Sequence, residues 1–354
     1  MKCSRRDFGK IAAASLPAAI LAKSVFASPV AKPDSRWAGV QVGLNVPYSF
    51  GTRTTMTAED VLARCVELNV SGVELRAQAI EKSFGLPDSL VLGPAPSDYV
   101  AAGTPAGQVP GAAGNAPRPA PSAAATPSSG RGGMPRTPEE LAAYSAAAKE
   151  LGKWRLSVPM SKAGELRKKY EDGGVAINIV KFDGISDLGD DELDYAFTLA
   201  RTLGARAVSG EFSIPATKRL VEAADRNKMF VGLHGHVAVT PAMWEQAFSY
   251  GKYAGANVDI GHFVAGNNAS PLPFIKQYHE RVTHIHVKDR KMNLGPNVEF
   301  GHGDTPIKEV LQAIRDNKWP IPAVIEFEIP LAAGADRMAE ISKCIEYCKD
   351  CLLS

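Results

Sequence analysis

Short runs of β-branched and other apolar residues recur along this chain, separated by longer stretches whose apolar positions repeat every three or four residues. The runs are VQVGLNV (40–46), GVELR (72–76), VAINIVKF (175–182) and ARAVSGE (205–211), then FVGLHGH (230–236), NVDIGHF (257–263), THIHVKD (283–289) and AVIEFE (323–328). Such nearly continuous apolar segments suit strands covered on both faces, as in a parallel sheet. Between them TAEDVLARCVELN, DDELDYAFTLARTLG, PATKRLVEAADRN and IKEVLQAIRDN carry the spacing of helices with one buried face. Eight strands alternating with helices predict a (β/α)8 barrel. An open doubly wound sheet is the alternative, but no Gly-x-Gly-x-x-Gly follows the first strand.

Two segments break the alternation. Residues 95–136 are almost entirely Ala, Pro, Gly and Ser, too poor in large apolar groups to offset the entropy of ordering, and read as a disordered insertion. The chain opens with Ser4-Arg5-Arg6-Asp7-Phe8-Gly9-Lys10, a short apolar stretch and the small-residue site Val25-Phe26-Ala27. This predicts a twin-arginine export signal over 1–27, with the apolar stretch too short to span a bilayer. The expected mature protein is a single barrel domain over 38–352, periplasmic or secreted and free of the membrane once the signal is cleaved. Cleavage would remove five basic residues and one acid, moving the formal charge from +2 to −2. A near-neutral surface gives nucleic acid no foothold. The five cysteines show no zinc-ligand spacing and are expected as buried thiols, a bridge from Cys65 to the last helix being the alternative.

All seven histidines lie between His234 and His302, at or near the ends of the later runs. In a barrel of this kind the site is built where the strands end. Those ends offer Glu211, then His234 and His236, Asp259 and His262, His286 with Lys288 and Asp289, and Glu326 with Glu328. Alternate residues of a strand face one side, so His234 pairs with His236, His284 with His286, and Glu326 with Glu328. Imidazole and carboxylate delivered to one rim form a ligand set for one divalent ion, and mixed O and N donors suit Mn²⁺, Zn²⁺, Co²⁺ or Fe²⁺. Glu211, His234, Asp259, His286 and Glu326 are among the donors so offered. Asp259 could instead cap the following turn, and His262 could fix a carboxylate ligand or touch substrate. Lys288 could pair with Asp289 or supply charge to an oxyanion. Asn45, Tyr48, Glu74 and Arg76, at the first two strand ends, are placed to hydrogen-bond a polyol. His284 reads as strand packing, and His279 and His302 as surface residues.

DIGHFVAGN, HIHVKD, the following GHGD and VIEFE together resemble the xylose isomerase-like TIM barrels, which include sugar isomerases and epimerases, inosose dehydratases and, more distantly, endonuclease IV. The resemblance spans 38–352 outside the insertion. It implies one metal held from strands five to eight, with Asp259, His286 and Glu326 at the sixth-, seventh- and eighth-strand ligand positions. Where many relatives carry Glu-Asn-His, this chain has His234-Gly235-His236. His234 then replaces the glutamate, and Glu211 is expected to restore a carboxylate.

The expected activity is that of a metal-dependent sugar isomerase or epimerase. A proton next to a carbonyl would be abstracted, and the cation would stabilise the resulting enediolate. Glu211, His236, Lys288 and Glu326 are the candidate catalytic residues, with Asn45, Glu74, Arg76 and His262 contacting substrate. A lyase or dehydratase on a keto-sugar or keto-glycoside shares the same intermediate. A non-catalytic sugar-binding barrel and a phosphodiester hydrolase are the remaining alternatives. With no glycine-rich phosphate cradle and an export signal, the expected partner is a free sugar or keto-sugar, and a homo-oligomer is compatible with the sequence.

Overall fold

The computed structural model describes residues 32–52, 55–92 and 137–354. Each of the eight apolar runs contributes to a parallel strand: β1 (Val40–Val46), β2 (Gly72–Arg76), β3 (Ala176–Lys181), β4 (Ala207–Glu211), β5 (Phe230–His234), β6 (Ala254–Asp259), β7 (Val282–Val287) and β8 (Ala323–Ile325). Each pairs with its sequence neighbours, and β8 closes on β1, giving a (β/α)8 barrel. A short strand, Arg36–Trp37, runs antiparallel to the start of β1. The expected export signal and the expected insertion over 95–136 lie outside the described residues.

Local rules account for the helices. In α1 (Ala58–Glu67), Thr57 accepts from the Asp60 amide and Asp60 accepts from the Thr57 amide, a reciprocal cap, while Ala58, Val61 and Cys65 form the buried stripe. After β2 come α2 (Ala77–Ser83), α3 (Pro138–Ser157) and α4 (Ser161–Gly173), and α3 opens with the same kind of cap between Thr137 and Glu140. The later helices are α5 (Asp190–Thr202), α6 (Ile214–Asn227), α7 (Pro241–Ser249), α8 (Ile260–Asn267), α9 (Leu272–Tyr278), α10 (Ile307–Asp316) and α11 (Arg337–Leu353). Ile307, Val310, Leu311 and Ile314 show why α10 is so legible: they repeat at the period of the helix and all are buried. Cys65, Cys344, Cys348 and Cys351 are buried free thiols.

Strand ends differ from expectation at the site. The sixth strand starts earlier, at Ala254, and stops at Asp259, where the chain turns into α8; His262 therefore sits on a helix. Asp259 makes that turn, because its Oδ1 accepts from the His262 amide at 2.7 Å. The eighth strand ends at Ile325 and the fifth at His234, leaving Glu326, Glu328 and His236 on the loops beyond.

Alternation sorts the strand residues into two faces. Val42, Leu44, Val46, Val73, Leu75, Val231, Leu233, Val258, Ile285 and Val287 fall on the helix side and are buried. The opposite face points into the lumen and carries Asn45, Glu74, Lys181, Glu211, His234, Asn257, Asp259, His284 and His286, all buried as well. The lumen is narrow below this polar layer. A Cβ on Gly43 would sit 2.6 Å from the Gly72 carbonyl oxygen, so no side chain fits there. Strand register then sets the neighbours of the site: Glu211 opposes His234, His234 opposes Asn257, and Asp259 opposes His286. The last of these follows a register shift between Ala256 and Asn257.

Candidate metal centre

Four donor atoms converge at the carboxyl end of the barrel: His234 Nε2, Asp259 Oδ2, His286 Nδ1 and Glu326 Oε2. All lie within 4.8 Å of one another on fully buried side chains. His286 Nδ1 is 3.1 Å from His234 Nε2, 3.4 Å from Glu326 Oε2 and 3.9 Å from Asp259 Oδ2. His234 Nε2 is 3.6 Å from Asp259 Oδ2 and 4.0 Å from Glu326 Oε2. Bonds of about 2.1 Å to a tetrahedral ion place neighbouring donors roughly 3.4 Å apart, so these separations fit a small divalent cation.

The tautomers fit too. His234 Nδ1 lies 2.9 Å from Glu211 Oε2, and His286 Nε2 lies 2.6 Å from Glu74 Oε2. A carboxylate can only accept, so each imidazole donates its N–H outward and turns its other nitrogen to the centre. Two imidazole nitrogens and two carboxylate oxygens then face one buried point. Asp259 Oδ2 accepts no well-aligned hydrogen bond among the described residues, although Lys288 Nζ stands 3.1 Å away. This donor set fits a divalent cation with mixed N and O preference.

Charges around the centre are matched in pairs. Burial alone would raise the carboxyl pKa of Asp259 and Glu326, but facing imidazoles and the Lys288 ammonium hold both well below the usual carboxylate range. For Lys288, burial works to strip its proton, while Asp259, Glu326 and Glu328 hold its pKa well above the ordinary lysine value. His286 feels burial in the same downward direction, and Glu74 and Glu326 outweigh it, holding its pKa up to about 9. A cation binding at Nδ1 therefore has to displace a proton. Burial pushes His284 down to about 4 and His262 well below its ordinary value, so both are neutral.

The sequence-predicted residues divide into layers. His234, Asp259, His286 and Glu326 form the four-donor cluster. Glu211 falls outside it: Oε2 bridges His234 Nδ1 and His236 Nε2, at 2.9 and 2.7 Å, and Oε1 lies 3.1 Å from Lys181 Nζ. Glu74, expected to meet substrate, is fully buried between His284 and His286. Asn45 and Arg76 are equally buried. Asn45 donates to Glu326 Oε1 at 2.9 Å, and Arg76 pairs with Asp183 and donates to Asn45. Glu74 and Asn45 thus each contact a member of the four-donor cluster, and Arg76 contacts Asn45. Asp289 does not pair with Lys288; it ties down the GHGD loop by accepting from the amides of Gly301, Gly303 and Thr305. His279 and His302 lie away from the centre, His279 stacking on Trp319.

Around the mouth stand His236, His262, Lys288, Arg290, Glu328 and Tyr48. The His236 ring lies 4.6 Å from that of His234 and 4.8 Å from that of His262. Arg290 reaches His262 Nδ1 at 2.7 Å, and Tyr48 donates to Glu328. The glycine between the two histidines is a steric requirement, since a Cβ on Gly235 would come within 2.3 Å of the Trp244 ring. Sequence reading missed Lys181, Asn257 and Arg290. Lys181 had a signal, a lone charge closing the AINIVK strand, and Asn257 precedes Asp259 on the same strand face.

Glu74→Gln and Glu211→Gln are each expected to weaken Mn²⁺ affinity by roughly tenfold or more, because the imidazoles lose the partners that fix their tautomers. Calorimetric titration of chelator-treated protein checks this. Unchanged affinity in both variants would contradict the orienting role of these carboxylates.

No protein-family profile and no curated protein matches this chain. Solved structures do. A xylose isomerase domain protein from Alicyclobacillus acidocaldarius subsp. acidocaldarius aligns with a TM-score of 0.55 at 11% identity, over 89% of this chain and 99% of that one. An L-ribulose 3-epimerase aligns with a TM-score of 0.53 at 13% identity, over 89% and 95%. A protein from Parabacteroides distasonis aligns with a TM-score of 0.50 at 16% identity, over 88% and 99%. At such identities the likeness is one of fold. The chain is thus a (β/α)8 barrel similar in architecture to xylose isomerase-like proteins.

Proposed function

We propose that this protein is a divalent-metal-dependent isomerase or epimerase acting on a free sugar or keto-sugar. The reading rests on one observation above all, the four-donor cluster whose two imidazoles are each oriented by a buried carboxylate. It is supported by the architectural likeness to an L-ribulose 3-epimerase. His234, Asp259, His286 and Glu326 would hold the ion, which as a Lewis acid would polarise a substrate carbonyl and acidify the adjacent carbon-bound proton.

The chain's own residues supply the remaining steps. His236 is the imidazole beside the cluster that reaches the mouth, its side chain 12% exposed. With its Nε2–H donated to Glu211, His236 would take the carbon-bound proton at Nδ1. Glu211 steadies the imidazolium so formed and is itself held by Lys181. From the β8 side Glu328, whose side chain is 21% exposed, sits 2.6 Å from Lys288 and accepts from Tyr48. A proton given from that side by the Lys288 ammonium to the same carbon would invert it; one given to the neighbouring carbon would isomerise the sugar. His262 and Arg290 line the mouth and would hydrogen-bond substrate hydroxyls. A second reading, β-elimination from a keto-sugar or keto-glycoside, is favoured by Lys288, an ammonium at the mouth able to protonate a departing oxygen.

Export through the twin-arginine route belongs to the same proposal, and with it a periplasmic or secreted location. No described helix is long and apolar enough to cross a membrane.

Incubation with a panel of keto-sugars in D₂O, with the metal content of the protein measured in parallel, tests the reading. Deuterium is expected at the carbon next to the carbonyl, and its loss on chelation. A protein that neither holds a divalent ion nor exchanges any of these protons would sink it.

A further inference from the structure

Lys288 follows β7, and its Nζ lies 3.1 Å from Asp259 Oδ2 and 2.8 Å from Glu326 Oε2. These are the two oxygens that complete the four-donor cluster with His234 and His286. The same ammonium is 2.6 Å from Glu328 Oε2 and 3.2 Å from His262 Nε2. An ammonium and a divalent ion cannot both hold one pair of oxygens without bringing like charges into contact, in a buried setting where screening is weak. Glu328 differs from the other two acids. It stands outside the four-donor cluster, accepts from Tyr48 and Asn297, and is the most exposed of the three. It offers Lys288 an anchor outside that four-donor cluster.

We propose that Lys288 is a tethered cation that competes with the divalent metal for Asp259 and Glu326, and that Glu328 holds its ammonium at the mouth once the metal has taken those oxygens. The inference rests on the metal reading above. It follows that Lys288 neutralises the carboxylate pair before loading, weakens metal affinity, and presents its positive charge to substrate only in the loaded protein.

The test uses the full chain, treated with chelator and titrated calorimetrically with Mn²⁺. K288M is expected to bind Mn²⁺ at least about tenfold more tightly, because one competing unit charge is gone. In chelator its melting temperature is expected to fall by several degrees, since Asp259 and Glu326 then lose the ammonium beside them and keep the His286 imidazolium as a neighbouring buried cation. E328Q is expected to weaken Mn²⁺ binding roughly threefold or more when Lys288 is present, by removing the alternative anchor, and to have no such effect in the K288M background. K288Q is read beside K288M, and E328Q gives an independent reading if either lysine variant folds poorly. Equal or weaker affinity in the lysine variants, or an E328Q effect that persists without Lys288, would overturn the inference. If the unsubstituted protein shows no saturable Mn²⁺ binding, the metal reading falls with it; if it binds Mn²⁺ and K288M merely matches it, only the role given to Lys288 fails.

Discussion

Alanine at Asp259 is expected to abolish stoichiometric metal binding and to lower kcat/KM by at least about a thousandfold, roughly 4 kcal/mol of transition-state stabilisation. The residue has two tasks. Its Oδ2 belongs to the four-donor cluster, and its Oδ1 caps α8 by accepting from the His262 amide. Alanine removes both functions, and losing the cap alone costs about 1 kcal/mol of stability. Asparagine keeps an oxygen for the cap and removes the charge. D259N is therefore expected to melt close to the unsubstituted protein while still losing metal, whereas D259A loses metal and also melts lower. Elemental analysis, thermal melts and deuterium exchange on the best keto-sugar separate these outcomes. Full metal content and turnover in D259N would show that the cluster does not need this carboxylate's charge.

The second large effect is one of stability. Arg155 on α3 is buried against Glu81 on α2, with Nε 2.7 Å from Oε1 and Nη2 3.3 Å from Oε2, and its Nη1 reaches Glu192 on α5 at 3.0 Å. Glu81 is only 1% exposed. R155A would leave that carboxylate buried with its guanidinium gone, a loss of about 3 kcal/mol or more. For a protein of this size the melting temperature is expected to fall by roughly 4–5 °C. A double change, R155M with E81Q, is expected to recover most of the loss, because no uncompensated charge remains. A fall of less than about 1 °C in R155A would mean that water reaches Glu81 and screens it.

How much of this was legible from residue order varies element by element. β2 and β7 stood out because apolar residues alternate with Glu74 and Arg76 in one and with His284 and His286 in the other, and α1 and α10 because their apolar stripes and α1's cap are local. The run after Asn257 misled, because DIGHFVAG is apolar at every period and reads equally well as strand end or buried helix. Only the cap at Asp259, which needs the folded turn, separates the two. His234, Asp259, His286 and Glu326 were legible as chemistry, since acids and imidazoles at strand ends have little other use. The burial of Glu74, Asn45 and Arg76 was not, because residues at the ends of β1 and β2 look like open rim until the barrel closes.

Residue order by itself determined the eight strands, their inward and outward faces and the set of donors offered to the lumen, because alternation and helical period are properties of a few consecutive residues. Tertiary structure alone decided which donors meet. Glu74 and His286 are 212 positions apart in the chain yet 2.6 Å apart in space. That distance depends on the closure of the barrel and on a register shift in one strand, and neither leaves a mark on local sequence.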